Sequence, residues 1–324
     1  MDIDHLRQAM NELGASSVPF LWGVDYELSK GFLIQKPLET TSLLWNIKGV
    51  GNDSALRNIR RKISLREETP PEPEYREKFA TVRQGLMRGD SFLANLTVAS
   101  RVTPDCTLEE IYASVKAPYK LLIPGQFLCF SPESFVRIQS GHISTYPMKG
   151  TIDASVPDAA DRLIGDYKEL CEHFTIVDLM RNDLNSVAAD VKVSRFRYID
   201  RIETHNGAIL QTSSEIIGRL SPEKAHSFGD IILPLLPAGS ICGAPKPATL
   251  RLISQAESQK RGWYTGVFGY FDGNTMDSAV MIRCIQRAHD NNLYFHSGGG
   301  ITVNSVCEEE YNEITAKIYL PQNP

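Results

Sequence analysis

The chain has 324 residues, 42% of them hydrophobic and 23% charged, with a formal net charge of −5. That is ample for a packed core in one large domain or two modest ones, and it excludes disorder as the main state. Charges of both signs are interspersed along the sequence, so no basic stripe exists to grip a phosphate backbone and nucleic acid is not expected as a partner.

Met1-Asp2-Ile3-Asp4-His5 is acidic and no apolar run follows it, so no signal peptide is read. Phe20–Val24 and Thr41–Ile47, rich in aromatic and branched residues between turn formers, predict strands. From Arg66 to Glu74 the chain is charged and proline-rich, where neither a helix nor a central strand is expected. This break divides a short N-terminal segment, 1–74, from a main domain, 75–324. A segment of about 70 residues makes a thin core by itself, so it is expected to pack on the main domain. Beyond the break, Tyr75–Arg88 reads as a helix and Ser91–Val102 as a strand around the turn Gly89-Asp90. Further strands are expected over Gln126–Phe130, Val136–Gln139, Val191–Tyr198, Trp263–Tyr270, Ser278–Ile285, Asn292–Ser297 and Ile301–Val303. Helices are expected over Asp158–Leu184, Ser227–Leu236, Pro245–Ser258 and Glu308–Ile318. Strands cluster and helices interrupt them irregularly, which predicts an α+β fold rather than a doubly wound sheet. The longest apolar stretches, such as Ile231–Leu236, are far too short to span a bilayer, so a cytoplasmic protein with no membrane partner is expected. Six cysteines stand apart with no C-x-x-C pair, against a zinc site or a disulfide framework.

Two segments repeat one chemical arrangement. On the long expected helix, Glu169 and Glu172 are three apart and so share a face; near the C-terminus Glu310 and Glu313 do the same. Two helices offering oxygen pairs can hold Mg²⁺, which takes one or two carboxylates and keeps positions for water and substrate oxygens. Such spacings are also common on solvated faces, so the spacing alone leaves both readings open. Pro237–Lys246 is a small-residue loop running into a helix, and Ser297-Gly298-Gly299-Gly300-Ile301 sets three glycines between strand-like segments. Segments of this kind present backbone amides to an anion or make a tight turn. Neither matches a nucleotide-binding fingerprint, so a small carboxylate ligand fits better.

From about Tyr75 to Ile318 the motifs resemble one family. They are Ser131-Pro132-Glu133, Lys149-Gly150-Thr151, Glu172 followed by Ile176–Leu184, Gly239–Lys246, Arg261–Gly266, Ile282-Arg283, and Gly298–Gly300 with Glu310–Glu313. In this order they are similar to the chorismate-utilising enzymes, which include anthranilate, isochorismate, salicylate and aminodeoxychorismate synthases. The resemblance implies a fold of layered antiparallel sheets flanked by helices. It implies Mg²⁺ ligated by Glu172 and Glu313, with Glu169 and Glu310 as outer ligands. It places Arg283, Tyr264 and the amides of Gly298, Gly299 and Gly300 on the enolpyruvyl carboxylate, Thr151 and Gln211 near the ring, and Lys246 among the substrate-binding residues.

Lys149 stands where anthranilate and isochorismate synthases usually have alanine and the aminodeoxychorismate synthases characteristically have lysine. The resemblance therefore implies amination of chorismate at C4 to 4-amino-4-deoxychorismate, toward 4-aminobenzoate and folate, with Lys149 as nucleophile and Glu133 as general acid/base. Leu93 falls where water-adding members carry a lysine, against isochorismate or salicylate synthesis. Gln211 replaces a histidine of many relatives and can donate a hydrogen bond without carrying a proton. Cys242 replaces a threonine or serine. No G-x-C-x-G amidotransferase loop is present, so a separate glutamine amidotransferase subunit is the expected ammonia source and an aminodeoxychorismate lyase the expected consumer of product. The alternatives are an anthranilate synthase component I and a non-catalytic chorismate-binding protein.

Overall fold

The computed structural model describes residues 1–56, 63–204, 207–257 and 259–321. Ser258, the expected end of one helix, and Gln322–Pro324 lie outside the described residues. Two nine-stranded antiparallel sheets pack face to face, with helices against their outer faces, an α+β architecture. The first sheet runs in the order Gly31–Gln35, Phe20–Val24, Val267–Phe271, Met276–Val280, Ser134–Gln139, His142–Thr145, Gly207–Arg219 and Ala189–Thr204. Met148–Asp153 follows His142–Thr145 along the same edge of Gly207–Arg219. The second sheet runs Val50–Gly51, Leu44–Ile47, Tyr119–Ile123, Phe127–Ser131, Cys284–Arg287, Leu293–Ile301 and Leu93–Pro104. Gly243–Ala244 and Leu65–Glu68 take the two ends of its last edge.

Burial explains why the central strands read as continuous apolar runs. In Phe20–Val24 every residue is buried: Phe20, Trp22 and Val24 pack with Leu6, Met10 and Ile176 of the helices, while Leu21 packs with Trp45, Tyr119 and Phe127 of the facing sheet. With both faces covered, the polar alternation of a half-exposed strand is lost.

Several elements depart from the sequence reading. The helix expected from Tyr75 begins at Glu72, inside the proline-rich stretch, because Pro73 falls in its first turn where no amide is needed. The helix expected over Asp158–Leu184 is two, Ala159–Gly165 and Tyr167–Asn185, broken at Asp166. Asp166 has extended backbone angles and its side chain accepts from Glu169 N at 3.0 Å, an N-cap. The strand expected over Ser278–Ile285 is also two, Met276–Val280 in the first sheet and Cys284–Arg287 in the second, and between them Arg283 sits at φ +54°. The glycine run makes no turn: Leu293–Ile301 is one strand straight through it. Several elements are absent from the sequence reading altogether, among them the helices Ile3–Ala15 and Leu108–Ser114, the latter with its Thr107/Glu110 capping box, and the strands Gly31–Gln35, Tyr119–Ile123, His142–Thr145, Met148–Asp153 and Gly207–Arg219.

Candidate active site

The strand Leu293–Ile301 pairs with Leu93–Pro104 so that Gly300 faces Asn95 and Gly298 faces Thr97. A Cβ on Gly298 would come within 2.8 Å of Thr97 Cγ2 and 2.9 Å of Leu96 O, and one on Gly300 within 3.1 Å of Leu93 Cδ1. Glycine is thus required for the close packing at 298, and it leaves bare backbone as one wall of a cavity of about 590 Å³. Leu93 and Asn95 line the same cavity.

Lys149 enters from the strand Met148–Asp153. The register slips between Lys149 and Thr151, with Gly150 at φ +76°, a bulge that turns the lysine off the regular pleat. Its Nζ donates to Glu172 Oε2 at 3.1 Å. At Gly150 an added Cβ would lie 3.0 Å from Glu169 Oε2, so the acidic helix rests directly against this bulge. Thr151 and Gln211 also line the cavity, and Gln211 Nε2 donates to Thr151 Oγ1 at 3.4 Å.

Glu133 follows the strand Phe127–Ser131 and is held by Ser240, whose Oγ donates to Oε1 at 2.5 Å. Burial raises the Glu133 carboxyl above the ordinary carboxylate range, against the Ser240 hydrogen bond and the Lys149 charge, which pull it down. A carboxyl so placed can retain and give a proton nearer neutrality than an exposed one.

Arg283, Tyr264 and Gly298–Gly300 meet at the cavity as well. The sheet switch after Val280 places Arg283 there, and its guanidinium donates to Lys317 O and lies 4.7 Å from the Tyr319 ring centroid. Tyr264 is buried and stacked on His296 at 5.0 Å and 29°. Burial and the Arg261 charge depress the His296 imidazole to about 4, which leaves it neutral near pH 7.

All four expected carboxylates line this one cavity, Glu169 and Glu172 from Tyr167–Asn185, Glu310 and Glu313 from Cys307–Ala316. Glu310 and Glu313 lie 3.4 and 3.9 Å from where a Gly299 Cβ would stand. Among the described residues no three acidic, histidine or cysteine side chains converge tightly enough to cage a metal by themselves. An all-oxygen set divided into two pairs fits Mg²⁺, which leaves part of its shell to water and substrate.

Lys246 is the exception among the residues singled out. Its Nζ pairs with Asp183 at 2.9 Å and donates to Leu235 O at 2.9 Å, and it does not line the cavity. The ion pair ties the small-residue loop to the acidic helix, so in this structure the side chain serves as a strut.

Other cavity groups carried no assignment from sequence. Ser240 lies inside the small-residue loop Pro237–Lys246, but its bond to Glu133 joins residues 107 apart in the chain. Lys317 Nζ donates to Glu313 Oε1 at 2.6 Å and to Gly298 O at 2.9 Å, and the i, i+4 spacing from Glu313 was its one local signal. His296 had none.

Comparison with known proteins finds relatives along most of the chain. The family model described as chorismate binding enzyme matches residues 39–322. An uncharacterized PabA-like protein of Haemophilus influenzae is 46% identical over 98% of this chain and 97% of its own length. Aminodeoxychorismate synthase component 1 of Salmonella typhimurium is 34% identical over 76% of this chain, and the matched part is about half, 56%, of that protein. Among solved structures, anthranilate synthase component I of Streptococcus pneumoniae superposes with a TM-score of 0.63 at 26% identity, covering 79% of this chain and 59% of the other.

Proposed function

The chain belongs to the chorismate binding enzyme family, and from that premise we propose that it aminates chorismate at C4, with Lys149 as covalent nucleophile and Glu133 as general acid/base. The observation that carries this reading is a lysine amine and a buried carboxyl with a raised pKa on one cavity beside two carboxylate pairs. In the first step the Lys149 amine bonds to C2 as the C4–O bond breaks, and Glu133 gives the departing hydroxide its proton, so water leaves. In the second step ammonia bonds to C4 and the C2–Nζ bond breaks; Glu133 takes up the proton shed by the new amine, and Lys149 returns to its starting form. Lys149 attacks only as free amine, so its ion pair with Glu172 must loosen first. Glu172 and Glu313 would hold Mg²⁺, with Glu169 and Glu310 in its outer shell. When bound, the ion supplies orientation and charge stabilisation for the ring carboxylate. Arg283 and the amides of Gly298–Gly300 bind the enolpyruvyl carboxylate, and Tyr264 packs beside it.

Ammonia would come from a separate glutamine amidotransferase, and a lyase that eliminates pyruvate would consume the product. Pure protein incubated with chorismate, Mg²⁺ and ammonium tests the reading by product mass and by 4-aminobenzoate formed on adding such a lyase. A 2-amino product would instead indicate an anthranilate synthase, and binding without turnover a non-catalytic protein.

A further inference from the structure

The edge strand Ala189–Thr204 loses register with its neighbour between Arg195 and Tyr198, and within that irregularity Arg197 adopts φ +48°. Left-handed backbone is costly for a residue with a Cβ. Here it turns the side chain inward, where Arg197 is only 7% exposed. No carboxylate pairs with it among the described residues. Its guanidinium donates instead to three carbonyls, Ile164 O at 2.7 Å, Leu163 O at 2.8 Å and Asp166 O at 3.4 Å. Leu163 O and Ile164 O close the helix Ala159–Gly165, where the backbone lacks intrahelical donors and a cation is favoured, while Asp166 O already accepts Leu170 N of the next helix. The next residues begin the acidic helix, with Asp166 capping Glu169.

The same residue reaches that helix by a second route. Arg197 N donates to Ser214 Oγ at 2.8 Å, and Ser214 Oγ bonds His173 Nε2 at 2.7 Å, one residue after Glu172. Ser214 N also donates to Pro147 O at 3.0 Å, two residues before Lys149. One buried residue thus ties, through its guanidinium, the turn before Glu169 and, through its backbone amide and Ser214, the residue after Glu172 and the approach to Lys149.

We infer that Arg197 is a positioning residue that holds Glu169 and Glu172 in register with Lys149 and so sets the affinity of the site for a divalent cation. The inference rests on the proposed metal role of those carboxylates. Mn²⁺ serves as the probe, its binding to the whole chain titrated by electron paramagnetic resonance with chorismate present. Arg197→Met, which keeps bulk and removes the donors, should bind Mn²⁺ about 10- to 100-fold more weakly, the range seen when outer-shell support of a metal ligand is lost. Arg197→Lys, reaching fewer carbonyls, should fall between it and wild type, and Ser214→Ala should weaken binding several-fold. Leu6→Ala, in the core under the first sheet, serves as a control for loss of stability alone and should keep wild-type affinity. Equal weakening in Leu6→Ala overturns the inference, as does wild-type Mn²⁺ affinity in folded Arg197→Met. Should Arg197→Met not fold, unchanged affinity in both Arg197→Lys and Ser214→Ala overturns it. Absence of Mn²⁺ binding by the wild type sinks the metal reading and this inference together, whereas wild-type binding retained by Arg197→Met sinks this inference alone.

Discussion

Lys149 and Glu133 divide the proposed chemistry between a nucleophile and a proton carrier, and each gives a distinct test. Lys149→Ala removes the amine and leaves the carboxylates, Arg283 and the glycine wall, so chorismate should still bind while the C4 amine falls by orders of magnitude. Residual amination should move toward C2, where ammonia can enter the vacated space. Lys149→Arg should not restore activity, because a guanidinium stays protonated and cannot attack carbon. Near-wild-type yield of the 4-amino product from the alanine variant, by mass spectrometry, would refute the covalent role. At Glu133 burial raises the pKa and Ser240 lowers it. Ser240→Ala should therefore raise the Glu133 pKa further. Since the departing hydroxide needs the protonated acid, the alkaline limb of the pH–rate profile should move to higher pH. A limb that stays put or moves down would show that another group gives the proton. Both residues were legible in the sequence from their motifs. Ser240 as the partner of Glu133 was not, since nothing local joins a residue after a strand to a turn 107 positions later.

The two acidic helices carry the next scale. Glu172→Ala and Glu313→Ala should each leave a folded protein with little turnover at moderate Mg²⁺; full wild-type activity in excess chelator would remove the metal from the mechanism. The acidic helix also carries a buried titratable group, His173, whose imidazole is depressed to about 4, first by burial and then by the charges of Arg197 and Lys149. An unfolded histidine takes up a proton near 6.5. Between about pH 6.5 and 4 the unfolded chain therefore binds a proton that the native chain refuses. Stability should fall through that window by about 1.4 kcal/mol per unit from this residue, and level off below it. Thermal melts of His173→Gln should show a shallower acid dependence than wild type; an identical slope would place the loss elsewhere. Acid pairs at i, i+3 were visible as helical periodicity. The break at Asp166 was masked because Asp158–Leu184 keeps helical spacing on both sides of it, while the cap and the Arg197 contacts that fix the break depend on the fold. The strand change around Arg283 was hidden likewise, since Ser278–Ile285 is apolar but for Ser278 and Arg283 and two buried strands in different sheets read as one.

At the scale of the whole molecule, the first 38 residues precede the family match yet build its interior: Phe20–Val24 lies between Gly31–Gln35 and Val267–Phe271. A chain starting at Glu39 should fail to accumulate in soluble form, and Trp22→Ala should cost about 3–5 kcal/mol in denaturant unfolding, the usual loss for a large buried aromatic. Soluble, active protein from the truncation would show that the sheet closes without this strand. Ammonium should support turnover by the purified chain where glutamine alone does not, and glutamine-dependent product would reveal an amidotransferase site among its own residues. The amino-acid order by itself determined the family, the α+β class, the acid pairs and the motifs that carry Lys149 and Glu133, because motif residues and helical periodicity are local properties of a chain. Only the tertiary structure decided that residues from 93 to 317 face one cavity, that the glycine run is bare strand, that Lys246 is a strut, and that Arg283 and Arg197 owe their places to backbone turns at positive φ. Those outcomes depend on pairing and packing between distant segments, whose free energies no local stretch of sequence contains.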